Sequence, residues 1–435
     1  MLTEKQIPKI FKIVVPVVLI VIAIVLLFIY PGFLLDSYGV EPLANRHYSI
    51  WDDKGIIEKL KPADREVERA FRENFLIDLE LEDNKKSFQG IISSIELAKN
   101  DEIIQETTFN LTDQLLWGKY LALAAEQKEF KVWQDMITEI YLTDQTWITQ
   151  INRNGDILAQ TEITWTYDLQ YADVLLTAYN RNPGRSLKQQ IEQIMERVWP
   201  YFSADELIPN YQSEVERIFY PETSSADKPT GNPELVNPYQ DTNIIRLSDV
   251  NLYVLESFSL IDQKWSQPYE NWSELVSDSI DSESVFYPFG IMPDEQNYVP
   301  TAETAFAALA LDTIKIVYQL NPEQQNSNTE GFVNRQLLQT NNLYEIYNMV
   351  TGQNMSNQTD IQAMALYADH IVKGFSDPND YANSEVLTAI RAGLSTNQYK
   401  DNLSPLNTLF YKNIDKKMLF NATDQLYVLV SGIVK

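Results

Sequence analysis

Along most of the chain apolar side chains recur every three or four residues, the spacing of helices that bury one face. The pattern predicts a first helix near Pro62–Asn74 and further helices over Asp173–Asn180, Leu187–Val198, Leu247–Leu260, Glu303–Leu320, Thr359–Val372, Ser384–Arg391, Pro405–Asn413 and Thr423–Val434. It reads Ile91, Ile92, Ile95 and Leu97, then Leu115, Leu116, Tyr120 and Leu123, as helical too. Period two is scarce. The stretch Trp147 to Trp165 alternates weakly around Asn154-Gly155, a hairpin-type dipeptide, and predicts a short β excursion. Stretches rich in Pro, Ser, Asn and Asp at 221–243, 321–330 and 351–358 read as loops at the rim of one helical body, with no long linker dividing it.

The N-terminus breaks this pattern. Lys5, Lys9 and Lys12 precede a run from Ile13 to Tyr30 that contains no charge, and the apolar character continues to Leu35 before Asp36. A spanning helix needs roughly 20 apolar residues, so the run is long enough to cross a bilayer. A cleaved signal peptide has a shorter apolar core and a small-residue cleavage site, which Phe28 to Leu35 does not offer. The reading is therefore a basic cytoplasmic tail (1–12), a transmembrane anchor (13–35), a tether (36–62) and an extracellular domain (63–435). The Lys bias places the N-terminus in the cytoplasm and the large domain outside a cell membrane crossed once.

Composition then narrows the chemistry. A net charge of −27 repels nucleic acid and anionic lipid surfaces as partners. With no cysteine, neither a disulfide nor lipidation at Cys is available. Only two histidines occur, His47 and His370, and there is no Gly-rich phosphate loop, so zinc catalysis, a His-based triad and a nucleotide site are not expected, nor any cofactor. What remains is carboxylates, with Tyr and Lys as accessories. Two carboxylates are sufficient for glycoside hydrolysis, one protonating the leaving oxygen and the other activating water. The 24 tyrosines and 8 tryptophans suit stacking on sugar rings as well as an aromatic core.

Four short segments, in order, resemble family 8 glycoside hydrolases, the endoglucanase type that includes the endoglucanase of bacterial cellulose synthesis. Thr112-Asp113-Gln114-Leu115-Leu116-Trp117-Gly118-Lys119-Tyr120-Leu121-Ala122 is similar to S-E-G-x-G-Y-x-M-L-L-A, whose Glu is the general acid; both of that motif's glycines are lost here, at 114 and 116. Gln170-Tyr171-Ala172-Asp173-Val174 resembles T-D-A-D-L with Tyr171 in place of the first Asp and Asp168 three residues earlier. Gly290-Ile291-Met292-Pro293-Asp294 followed by Leu311-Asp312-Thr313-Ile314-Lys315 is similar to G-L-V-P-D and Y-D-A-x-R, whose Asp is the catalytic base. Thr423-Asp424-Gln425-Leu426-Tyr427-Val428-Leu429 resembles the family's last helix.

The resemblance implies an all-α (α/α)6 toroid with short β excursions, with Asp113 as acid, Asp312 as base, and Asp173, Tyr171, Asp168, Trp117 and Lys315 as substrate-binding residues. A helical wheel puts Asp312 at the edge of an apolar face with Lys315 as its expected partner. The implied activity is an inverting endo-glycosidase acting on a β-linked glucan or exopolysaccharide. Its alternative is an inactive glycan-binding protein that guides polysaccharide from a membrane synthase. A structural ectodomain without a sugar ligand is the third reading.

Overall fold

The computed structural model describes residues 40–48, 62–81, 87–99, 101–143, 146–161, 165–203, 208, 211–213, 217–219, 234–236, 242–280, 284–292, 297–299, 307–374, 381–414 and 417–433. The expected cytoplasmic tail and anchor lie outside these residues. Among the described residues no helix is long and apolar enough to cross a membrane.

Twelve α-helices occur among the described residues: α1 (Pro62–Phe75), α2 (Leu111–Leu123), α3 (Gln127–Met136), α4 (Trp165–Arg181), α5 (Arg185–Phe202) and α6 (Leu252–Ile261), then α7 (Ser266–Ser277), α8 (Ala310–Gln319), α9 (Ser327–Thr340), α10 (Ile361–Gly374), α11 (Tyr381–Thr396) and α12 (Ala422–Ser431). The even-numbered helices form an inner ring. Helix α2 packs on α4, α4 on α6, α8 on α10, α10 on α12, and α12 returns to α2. Helices α6 and α8 are joined where Leu252 N–H donates to Gln319 Oε1 at 3.2 Å. The odd-numbered helices sit outside: α3 covers α2, α5 covers α4, α7 covers α6, α11 covers α10 and α1 covers α12. Helix α9 packs on α11 and is tied to α10 by the Tyr367 hydroxyl donating to Asn334 at 2.7 Å.

Contacts at equal depth align α2 with α4, α8 with α10 and α12 with α2, while α6 starts lower, Leu252 meeting Gln319 at the end of α8 and Tyr253 meeting Asp173 midway along α4. Lys119 and Asp173 are each the ninth residue of their helix and pair at 2.7 Å, as do Tyr318 and Asp369 at 2.8 Å. At the other level, the starts of α2 and α12 meet through Thr423 and Asp113. One rim of the ring therefore gathers helix N-termini, where exposed N–H groups favour negative charge.

Most helices lie where the periodicity predicts them; α3 and α7 were not expected, and four further segments differ. Residues 89–97 are strands (Gln89–Ile91 and Ser94–Leu97), not helix. Ile91, Ile95 and Leu97 fit period two, and Ile95 and Leu97 are the buried positions of their strand. Pro405–Asn413 forms turns leading to the strand Lys412–Ile414. The helix expected from Glu303 starts only at Ala310, after the strand Ala307–Leu309, while 300–306 lies outside the described residues. Helix α9 begins at Ser327, within the stretch 321–330 expected as a loop, and runs beyond it.

The largest revision concerns the tether. Residues 40–48 pack into the ring near the far end of α4 and the start of α6. Leu43 N–H donates to Asn180 at 2.6 Å, Tyr179 donates to the Glu41 carbonyl at 2.8 Å, and Asn45 Nδ2 lies 3.1 Å from the Tyr253 carbonyl and 3.0 Å from Ser257. Arg46 reaches the Leu320 carbonyl, and His47 stacks on Tyr253 at 4.6 Å. Asn45, His47 and Tyr48 are buried. This segment is a strap of the folded domain.

Candidate functional site at the helix N-termini

Every inner helix carries an aspartate at or just before its first turn: Asp113 on α2, Asp168 on α4, Asp249 before α6, Asp312 on α8, Asp360 before α10 and Asp424 on α12. A carboxylate there complements the helix dipole, but each of these is buried or nearly so, and desolvation disfavours its charge. Their partners decide the balance. Asp168 accepts from Trp147 Nε1 at 2.7 Å and is paired with Arg197, Asp249 lies 3.9 Å from Arg246 and 3.8 Å from Lys315, and Asp424 lies 3.8 Å from Lys412. Asp312 accepts from Arg246 at 2.7 Å and from Ser248 at 3.0 Å. Both donors reach its Oδ1, and its Oδ2 has no hydrogen-bond partner among the described residues.

Asp113 differs. It is 2% exposed and has no ion-pair partner among the described residues. Thr423 donates to its Oδ1 at 2.7 Å, and Asn110 Nδ2 lies 3.4 Å from its Oδ2. Burial pushes its carboxyl up to about 7 against these two donors, with a further upward push from Asp424. Asp360, which accepts from the Ala363 N–H at 2.9 Å, is likewise pushed up to about 7 by burial, against Lys412.

Below this rim the ring holds a cavity of about 130 Å³ lined by both polar and apolar side chains. Thr112, Lys119, Asp173, Ser248, Asp249, Tyr253, Lys315, Tyr318, Asp369 and Tyr427 contribute to its wall. Asp173 is held by Lys119 at 2.7 Å, Tyr48 at 2.7 Å and Tyr253 at 3.3 Å. Burial lowers the Lys119 pKa, but the adjoining Asp173 charge overrides it and leaves the ammonium raised. The volume is below the roughly 300–1,000 Å³ of small-molecule pockets, so this space suits bound water better than a sugar ring.

The sequence-derived residues divide accordingly. Asp173 and Lys315 line the cavity. Asp113 and Asp312 stand one step behind its wall, since Thr112 precedes the former and Ser248 holds the latter. Lys315 is not the partner of Asp312; it faces Asp249, and Arg246 takes the expected place. Tyr171 is 3% exposed and packs edge-on to Trp147 at 5.6 Å, and Asp168 is fully buried against Trp147 and Arg197. Trp117 stacks on Tyr120 at 5.2 Å with Arg72 over its ring, beside an outer pocket formed with Phe88 and Trp133. These three are packing residues outside the cavity. The glycine missing at 114 is a buried glutamine whose amide clamps the Ile91 N–H and carbonyl, both at 2.8 Å. Pro293 and Asp294 lie outside the described residues. Ser248, Arg246 and Tyr253 were not singled out from the sequence, and Thr423 and Tyr427 were read only as part of the last helix.

No family model matches the chain, and no curated protein does. Among solved structures it is similar to a novel alpha-amylase from Clostridium perfringens, with a TM-score of 0.61 at 16% identity over 85% of this chain and 97% of that one. It is also similar to a beta-1,3-1,4-glucanase from Paenibacillus (TM-score 0.55, 12% identity, 90% and 98% covered) and to an endo-1,4-D-glucanase from Vibrio fischeri (0.53, 12%, 84% and 93%). The chain has the fold of these glycoside hydrolases over nearly their whole length. The resemblance to family 8 read from the motifs is thus matched at the level of the fold. An alpha-amylase stands beside two glucanases, so the fold leaves the linkage open.

Proposed function

We propose that the chain is an endo-acting glycoside hydrolase with an (α/α)6 toroid, in which Asp113 is the general acid, Asp312 the general base, and a β-linked glucan or exopolysaccharide is cut by inversion. The observation that carries this reading is the contrast between the two carboxyls. Asp113 is pushed up to about 7, so it still holds a proton near neutral pH, as a general acid must. Asp312 has one oxygen fixed by Arg246 and Ser248 and the other without a hydrogen-bond partner among the described residues, the arrangement of a base that takes a proton from water. In an inverting enzyme the two carboxyls stand about 6.5–9.5 Å apart to admit that water.

A second reading has its own observation. Asp113 is one methylene shorter than the Glu of the resembling motif, is tied down by Thr423 and does not line the cavity, which suits a glycan-binding protein that no longer cuts. Incubating the purified chain with soluble β-glucans and exopolysaccharides separates the two. New reducing ends support the hydrolase, binding without them supports the binding protein, and neither sinks both.

The same proposal includes the anchor at 13–35, with the N-terminus cytoplasmic, the domain outside, and a polysaccharide synthase in the same membrane as partner. Protease added to intact cells should digest the domain. Protection until the membrane is broken would reverse this topology.

A further inference from the structure

The helix starts of α2 and α12 are built from one repeated sequence, Asn110-Leu111-Thr112-Asp113-Gln114-Leu115 and Asn421-Ala422-Thr423-Asp424-Gln425-Leu426. The geometry repeats as well. Asn110 Nδ2 and Asn421 Nδ2 each lie 3.4 Å from Oδ2 of the aspartate three residues on. Gln114 clamps the Ile91 N–H and carbonyl at 2.8 and 2.8 Å, and Gln425 clamps those of Phe410 at 2.8 and 2.7 Å.

Each aspartate also receives a donor from the preceding helix of the ring. Thr423 at the start of α12 donates to Asp113 on α2 at 2.7 Å. Gln362 at the start of α10 donates to Asp424 on α12 at 2.7 Å, and Ser248 before α6 donates to Asp312 on α8 at 3.0 Å. At these three aspartates the donor comes from the preceding helix of the ring.

Building on the hydrolase reading, we infer that Thr423 is the positioning residue for Asp113. Its hydroxyl occupies Oδ1, so the transferable proton of the acid sits on Oδ2 and leaves from there to the glycosidic oxygen, the Asp113 carboxylate remaining behind. Asn110 faces Oδ2, and its amide is oriented by Gln150, which donates to Asn110 Oδ1 at 2.9 Å. The titratable groups around the Asp113 carboxyl are Asp424 on α12 and Tyr141 on the short π-helix Ile137–Tyr141 after α3. Asp424 supplies the repelling charge. Tyr141 is itself raised, by burial first and then by Asp113, so it stays neutral.

The two neighbours act in opposite directions. The Thr423 hydroxyl stabilises the ionised carboxylate and Asp424 destabilises it. The test follows the infrared band of protonated carboxyl that Asp113→Asn removes, titrated in the full-length protein in detergent. Thr423→Val should move its midpoint up by about one pH unit, Asp424→Asn should move it down, and Thr423→Ser should restore the wild-type midpoint. Retained helical circular dichroism shows that each variant is folded. Midpoints unmoved in folded Thr423→Val and Asp424→Asn would overturn the assignment. If the midpoints move as stated but no polysaccharide is cut by the wild type, the positioning contact stands and the hydrolase reading fails; where cutting is measured, the alkaline limb of its pH profile should move with the band.

Discussion

Asp113 and Asp360 lack an ion pair among the described residues, and both are pushed up to about 7 by burial. The sign of the resulting pH dependence is fixed. An aspartate in the unfolded chain ionises near pH 4, while the folded carboxyl holds its proton to about 7, so stability falls as pH rises through that window and levels off above it. For Asp113 the loss has an upper bound of about 4 kcal/mol, from roughly three pKa units. Asp113→Asn should thus match wild type near pH 4 and exceed it in urea midpoint near pH 8; equal slopes of stability against pH in both proteins would contradict the burial. At this scale the sequence was half legible. An aspartate at the edge of an apolar helix face marked Asp312 for a desolvated role, but Lys315 was chosen as its partner because spacing along one helix sees only that helix. Arg246 and Ser248 come from the approach to α6, 66 and 64 residues earlier.

Among the elements, the strap of residues 40–48 carries the clearest energetic consequence. Tyr48 donates to Asp173 at 2.7 Å inside the ring, and Asn45 satisfies groups at the start of α6. Deleting residues 1–36 should leave a folded domain, whereas deleting 1–48 strips a donor from the buried Asp173 and Asn180. The longer deletion should lower stability by about 1–3 kcal/mol, read from the urea midpoint, since Asp173 keeps Lys119 and Tyr253 while the buried Asn180 Oδ1 loses its donor. Identical midpoints would return the strap to the status of a tether. The contact of α2 with α3 is just as specific: a Cβ on Gly118 meets the Trp133 ring at 2.1 Å, and Trp133 Nε1 donates to the Gln114 carbonyl at 2.7 Å. Gly118→Ala should cost about 1–3 kcal/mol by overpacking, and a midpoint at or above wild type would show that the ring can move aside. Neither feature announces itself in the sequence. Residues 40–48 have no periodicity, and Ile91, Ile95 and Leu97 satisfy strand and helix spacing at once.

For the whole molecule, the inner ring was the legible part. Helices α4, α10 and α12 carry broad apolar faces because each is covered by neighbours on both sides and by an outer helix, so their periodicity is strong. The outer helices α3, α7 and α9 bury only a few side chains each, Val333 and Leu337 being the apolar ones of α9, and the periodicity singled out none of them. The repeated Asn-x-Thr-Asp-Gln-Leu was present in the sequence all along, and its meaning emerges only when α12 closes on α2. The ring brings the helix starts bearing Asp113 and Asp312 to one rim, and the central claim is that these two carboxyls divide the work of acid and base. The direct measurement is turnover of a soluble β-glucan by full-length wild type, Asp113→Asn and Asp312→Asn, with the anomer of the first product read by proton NMR. The account predicts α-anomeric product from the wild type and a rate lower by about 10²–10⁴-fold in each variant, with glycan binding retained. β-Anomeric product, or wild-type turnover in folded Asp312→Asn, would contradict it.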